Sequence, residues 1–157
     1  MTAHRVQRRL AAITAADIVG YSRLMNDDEL GTLAQLLSLR RELLEPKITE
    51  HGGRIVKTMS DGVLIEFSSV VDAVRHAVDV QRSLASRNSD VPAHRRIDLR
   101  IGINLGDIIV EDNDIYGEGV NIAARLEGLC SPSEVYVSAA VRDQVNGKLD
   151  IAFDDLG

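Results

Sequence analysis

The segment from Leu10 to Val19 constrains this chain most. It reads Leu-Ala-Ala-Ile-Thr-Ala-Ala-Asp-Ile-Val, apolar except at Thr14 and Asp17. The run is far shorter than the ~20 residues of a membrane span. It also lacks the strict alternation of a half-buried strand, and so suits a strand buried on both faces. The carboxylate of Asp17 inside such a strand demands compensation, because a buried charge is costly unless paired.

The elements around this strand follow from their own patterns. Asn26, Asp27 and Asp28 offer a helix cap with acidic residues in the first turn. Leu30, Leu33, Leu37, Leu44 and Ile48 then recur at helical spacing, Pro46 should kink or split the helix, and Gly52-Gly53 ends it. Arg54–Lys57 and Val63–Phe67 read as a hairpin across Ser60-Asp61-Gly62. Ser69 and Asp72 have capping-box spacing ahead of a helix with Val71, Val74 and Val78 on its apolar face, and Ser86–Arg96 reads as a loop. Ile97–Asn104 and Asp107–Glu111 read as strands around a Leu105-Gly106 turn. A helix over Val120–Leu129, a short strand at Val135–Val137 and a further helical stretch follow, with Ile151 and Phe153 as a last apolar pair. The order predicts an α+β, ferredoxin-like sandwich: a βαββαβ core with an antiparallel sheet and helices on one face. The other face needs a cover of its own. With 157 residues, a single domain over 1–157 is expected.

Composition narrows the partners. Aromatic residues are 3% of the chain and Trp is absent, which argues against a stacking platform for single-stranded nucleic acid. A formal net charge of −6 disfavours duplex binding, which needs a basic face, and a polyanionic substrate would come with divalent cations. Cys130 is the only cysteine, read as a small buried hydrophobe. No apolar run approaches a membrane span, and the start from Met1 to Leu10 is basic and polar. A cytoplasmic location is expected, with no nucleic acid and no membrane as partners.

Chemistry gathers in three places. Asp17 near the end of the first strand and Asp61 at the hairpin tip can point into one cleft, and carboxylates so placed repel unless a cation lies between them. Their oxygens suit Mg²⁺ or Mn²⁺. Taken alone, Asp61 reads first as an ordinary turn residue, because Asp is favoured in turns. Gly20, Tyr21 and Ser22 leave the strand toward a helix start, where backbone N–H groups can hold phosphate oxygens. Asn121 and Arg125 lie four apart and project from one helical face, where the arginine can grip a phosphate bidentately. The competing reading is a solvated face with Arg125 paired to Glu127 or Glu118.

Ala16–Ser22, Lys57–Gly62 and Asp114–Arg125 together resemble, in the right order, the signature segments of class III nucleotidyl cyclases, adenylyl type. The likeness runs from about Leu10 to the end. The resemblance implies an adenylate cyclase that converts ATP to 3′,5′-cyclic AMP and pyrophosphate. It implies two divalent cations per site, held by Asp17, Asp61 and the Ile18 carbonyl. It implies that Lys57 and Asp114 read adenine, Asn121 orients the ribose and Arg125 stabilises charge on the α-phosphate. It further implies a homodimer with shared active sites. A guanylate cyclase is the nearer alternative, disfavoured by Lys57 and Asp114; a catalytically weak, cyclase-like nucleotide-binding regulatory domain is the other. The chain departs from the family pattern at Ser60, where glycine is usual, and it ends at Gly157 before the family's C-terminal strand pair. A regulatory domain attached at either end is compatible with the reading.

Overall fold

The computed structural model describes residues 6–157, so Met1–Arg5 of the basic start lie outside the described residues. The apolar run of the sequence becomes the second half of β1 (Val6–Ile18). This strand is flanked on both sides, antiparallel to β3 (Gly62–Phe67) and to β4 (Leu99–Glu111). The sheet order is β2-β3-β1-β4-β5, with β2 over Gly53–Thr58 and β5 over Asp114–Tyr116, while β6 (Val135–Val137) pairs with β4. The first four strands have the order a βαββαβ core requires. β6 runs parallel to β4 and so adds a parallel edge to an otherwise antiparallel sheet.

The helical layer between β1 and β2 comprises α1 (Tyr21–Asp27), α2 (Glu29–Leu39), a wide π turn at Arg40–Leu44 and α3 (Glu45–Glu50). Pro46 splits this helix as expected. It has no N–H to give the carbonyl four residues back, and the chain widens just before it: the Glu45 N–H bonds to Arg40 O, five residues back. The apolar spacing needs correction. Leu30, Leu33 and Leu37 are exposed, 78%, 45% and 51% respectively. The buried stripe is Thr32, Leu36, Leu39, Leu43 and Ile48. Two leucine stripes run along this helix, and spacing alone does not say which one meets the sheet. The helix between β3 and β4 is α4 (Val70–Asn88), capped by Ser69, whose hydroxyl accepts from Asp72 N. It continues two residues beyond Ser86 into the segment expected to be loop.

Alternation along β1 sorts the core into layers. Ala12, Ala16 and Ile18 face α2, α3, α4 and α6 (Ala139–Val145), with Ile65, Phe67, Ile101 and Ile103 beside them. Ala11, Ile13 and Ala15 face the other way, onto Leu64, Ile108, Ile115 and Ala123 of α5 (Glu118–Leu129). The crossover helices thus share one face, as predicted, and α5 provides cover for part of the second.

The turn expected at Leu105-Gly106 does not form. β4 passes straight through and turns back at Asp112, whose φ of 58° is left-handed. Gly106 is there for close approach: a Cβ on it would lie 3.3 Å from Gly119 Cα, where α5 crosses the strand. Gly102 has the same use, since its Cβ would sit 2.4 Å from Glu127 N.

Candidate active site

Asp17 has Gly62 of β3 on one side and Arg100 of β4 on the other. Only glycine permits that first contact, because a Cβ on residue 62 would come within 2.7 Å of Ala16 O. Asp61 immediately precedes this glycine. Its carbonyl accepts from Ile18 N at 2.7 Å, and its turn is closed by Met59 N donating to Gly62 O at 2.9 Å. The metal-binding aspartates expected from sequence therefore sit at one end of the sheet, Asp17 on β1 and Asp61 in the turn that leads into the neighbouring β3. Ser60 is not among the described residues with positive φ, so serine in the glycine position brings no left-handed strain.

Sequence reasoning missed the other members of this cluster. Arg100 donates to Asp17 through Nε at 2.9 Å and Nη2 at 2.5 Å, and these hydrogen bonds, with the Asp17 charge behind them, raise its already high pKa against the effect of burial. Glu127 reaches the same place from α5. Burial first, and then the negative charge of Asp17, push its carboxyl up to about 7, with Asp61 adding to the rise and Arg100 opposing it. One guanidinium thus serves a crowd of carboxylates that it does not neutralise. That donor set, hard oxygens in excess of local positive charge, fits a divalent cation. The signal for Arg100 was in the sequence: it is a charge inside an apolar strand, as Asp17 is.

The pair expected from sequence to read the base, Lys57 and Asp114, also meets. Lys57 lies one residue before the end of β2, after an irregularity in its register with β3, and its Nζ lies 3.8 Å from Asp114 Oδ2. The other carboxylate oxygen of Asp114 accepts from Ile115 N at 2.8 Å, which fixes the side chain at the start of β5. Asn121 and Arg125 are exposed on α5. Arg125 Nη1 lies 3.8 Å from Glu118, which settles its partner in the free chain in favour of Glu118 over Glu127. Residues two apart on a helix do not share a side. Glu127 points to Asp17, and Arg125 projects away from it. One chain therefore does not bring Arg125 to the Asp17–Asp61 cluster. Gly20 has φ 65° and ψ 34° and caps α1, so Tyr21 and Ser22 open a helix without a side-chain cap or an acidic first turn.

A second acidic group lies among the helices. Asp79 accepts from His51 Nε2 at 3.0 Å, with Lys47 Nζ 3.1 Å from the same oxygen and Glu50 nearby. Lys47 already neutralises this group, so it reads as an ion-pair network. Among the described residues no helix is long and apolar enough to cross a membrane. Cys130 is buried, as expected.

Known proteins resemble this chain in sequence and fold. The family model for the adenylate and guanylate cyclase catalytic domain matches residues 6–157. A Rhizobium meliloti protein named, provisionally, adenylate cyclase 3 is 50% identical over 100% of this chain and 27% of its own length. A Streptomyces coelicolor adenylate cyclase is 32% identical over 89% of this chain and 35% of its own. The chain thus spans about a third or less of these relatives. The crystal structure of an adenylate/guanylate cyclase/hydrolase from Silicibacter pomeroyi superposes with a TM-score of 0.92 at 45% identity, covering 98% of this chain and 89% of that one. With sequence, fold and the clustered carboxylates in agreement, the chain belongs to the family of adenylate and guanylate cyclase catalytic domains.

Proposed function

We propose that this chain is a catalytic unit that converts ATP to 3′,5′-cyclic AMP and pyrophosphate, acting in the cytoplasm as a symmetric homodimer with shared sites. The observation that carries the choice of ATP is the Lys57–Asp114 pair. A lysine ammonium donates to adenine N1 and a carboxylate accepts from the N6 amine. Guanine presents a carbonyl and an N1–H at those positions and would leave both protein groups mispaired, at a cost of about 1–3 kcal/mol each.

Asp17, Asp61 and the Ile18 carbonyl would hold two divalent cations, Mg²⁺ or Mn²⁺. When bound there, such ions lower the pKa of the attacking ribose 3′-hydroxyl and neutralise the pyrophosphate leaving group. Arg100, next to these ligands, has the fork geometry to take a phosphate oxygen once the cations take over Asp17. The free N–H groups at Tyr21 and Ser22 would receive further phosphate oxygens. Asn121 would orient the ribose and Arg125 would stabilise charge at the α-phosphate, both reaching across from the second copy. Support for that division is the orientation of α5, which sends Arg125 away from the carboxylates of its own chain.

The test is cyclic nucleotide production from ATP and from GTP, with Mn²⁺ or Mg²⁺, at several protein concentrations. Cyclic AMP made preferentially from ATP, with specific activity rising with concentration, is the expected result. Equal use of GTP would overturn the base assignment, and no product at high concentration would leave a nucleotide-binding regulatory domain.

A further inference from the structure

The loop that carries Asp61 has an unusual support. Beneath it the core leaves a cavity of about 30 Å³ whose lining includes Asp61, Gly62, Val63, Thr14 and Arg40. Such a space holds at most a water or two, so the underside of the loop is incompletely packed. Besides the backbone bonds from Ile18 and within the turn, Arg40 reaches it. Its Nη2 donates to Met59 O at 2.8 Å and lies 3.4 Å from Ser60 O, the carbonyls just before Asp61. Arg40 opens the π turn of the crossover helix, where the backbone widens ahead of Pro46. A π turn shifts the side chains that follow relative to those before it, and such turns are frequent at functional sites. Ordinary turns leave these carbonyls to water; here a guanidinium from a helix distant in sequence takes them.

We infer that Arg40 is a positioning residue for metal binding: it fixes the Met59–Gly62 turn so that the Asp61 carboxylate stands opposite Asp17. The inference rests on the reading of Asp61 as a metal ligand. Arg40 touches neither substrate nor cation in this role. Its contribution is to hold the ligand loop in its binding shape before the cation arrives, as outer-shell groups do at other metal sites.

The test measures Mn²⁺ binding to the full chain from the electron paramagnetic resonance signal of free Mn²⁺, for wild type, Arg40→Ala, Arg40→Lys and Asp61→Asn. Thermal unfolding is recorded for each. Arg40→Ala should bind Mn²⁺ about tenfold more weakly while remaining folded, in the range for lost outer-shell support. Arg40→Lys, which keeps a donor for Met59 O, should recover a good part of that loss. The Mn²⁺ concentration for half-maximal cyclic AMP formation should rise in parallel, with turnover at saturating Mn²⁺ changed less. Wild-type Mn²⁺ affinity in folded Arg40→Ala overturns the inference. If Arg40→Ala does not fold, Arg40→Lys with an affinity no better than Asp61→Asn overturns it as well. Asp61→Asn binding Mn²⁺ like wild type would sink the metal reading itself, a distinct failure from that of Arg40.

Discussion

Two carboxylates on the same sheet face, Glu66 buried and Glu127 half-buried, have opposite fates. Glu66 on β3 is 9% exposed and accepts from Arg9 at 2.8 and 2.9 Å and from Arg54 at 2.7 Å. Burial alone would raise its pKa, but the arginine hydrogen bonds outweigh burial and hold it below the ordinary range. Glu127, at the other end of β1, shares Arg100 with Asp17 and is pushed up to about 7, first by burial and then by the Asp17 charge, with Asp61 adding to the rise. Glu66 is a finished ion pair. Among the described residues, Arg100 is the only cation paired with the Asp17–Glu127 carboxylates. The contrast separates a structural carboxylate from a site prepared for a cation.

The largest expected effect comes from breaking the unfinished end. Asp17→Asn should reduce cyclic AMP formation by roughly 10²–10³-fold or more, the scale of losing a group that organises transition-state charge. The variant should stay folded by circular dichroism, since Arg100 can turn to Glu127. Activity near wild type would erase the distinction between the two ends. Breaking the finished end should do the reverse. Glu66→Ala should cost about 1–3 kcal/mol of stability in urea unfolding, at the low end for a broken buried pair because both arginines reach solvent. Its turnover per folded molecule should change little.

A smaller effect sharpens the comparison from the opposite sheet face. His76 is 2% exposed, and neither ring nitrogen has a hydrogen-bond partner among the described residues. Burial first, then the nearby His51, with a minor part from Lys47 and against the pull of Asp79, lowers its pKa from 6.5 to about 4. A histidine depressed in the fold takes up its proton on unfolding. Stability is therefore intact above pH 6.5 and declines as pH falls from there toward 4. Between pH 7 and 5 the loss is about 2 kcal/mol. Urea unfolding of wild type and His76→Phe across that range checks it, and equal pH slopes would contradict the assignment.

The fold was legible wherever a pattern had only one structural solution. The Leu10–Val19 run had to be a central strand, and Ser69 with Asp72 had to open a helix. It was not legible where patterns were degenerate. On α2 the Leu30–Leu33–Leu37 row competes with the buried row through Leu36 and Leu39, and tertiary packing alone chooses between them. At Leu105-Gly106, a glycine needed for helix approach resembles one needed for a turn. The candidate ligands Asp17 and Asp61 could be found because each stands in a recognisable segment. Arg100 carried a signal, a charge inside an apolar strand, but its partner Asp17 is distant in sequence; Glu127 and Arg40 carried none, because their meaning depends on Asp17 and on the Met59–Ser60 carbonyls.

The central claim is that the carboxylate cluster is half of a site that a second copy completes. Complementation tests it most directly. Asp17→Asn and Arg125→Ala are each assayed alone and then mixed in equal amounts under conditions where dimers exchange. Each should be inactive alone, and the mixture should recover up to about a quarter of wild-type activity, because half the dimers are mixed and each of those keeps one intact site of two. A mixture as inactive as its parts, although mixed dimers form, would show that Asp17 and Arg125 serve within one chain and would contradict the account.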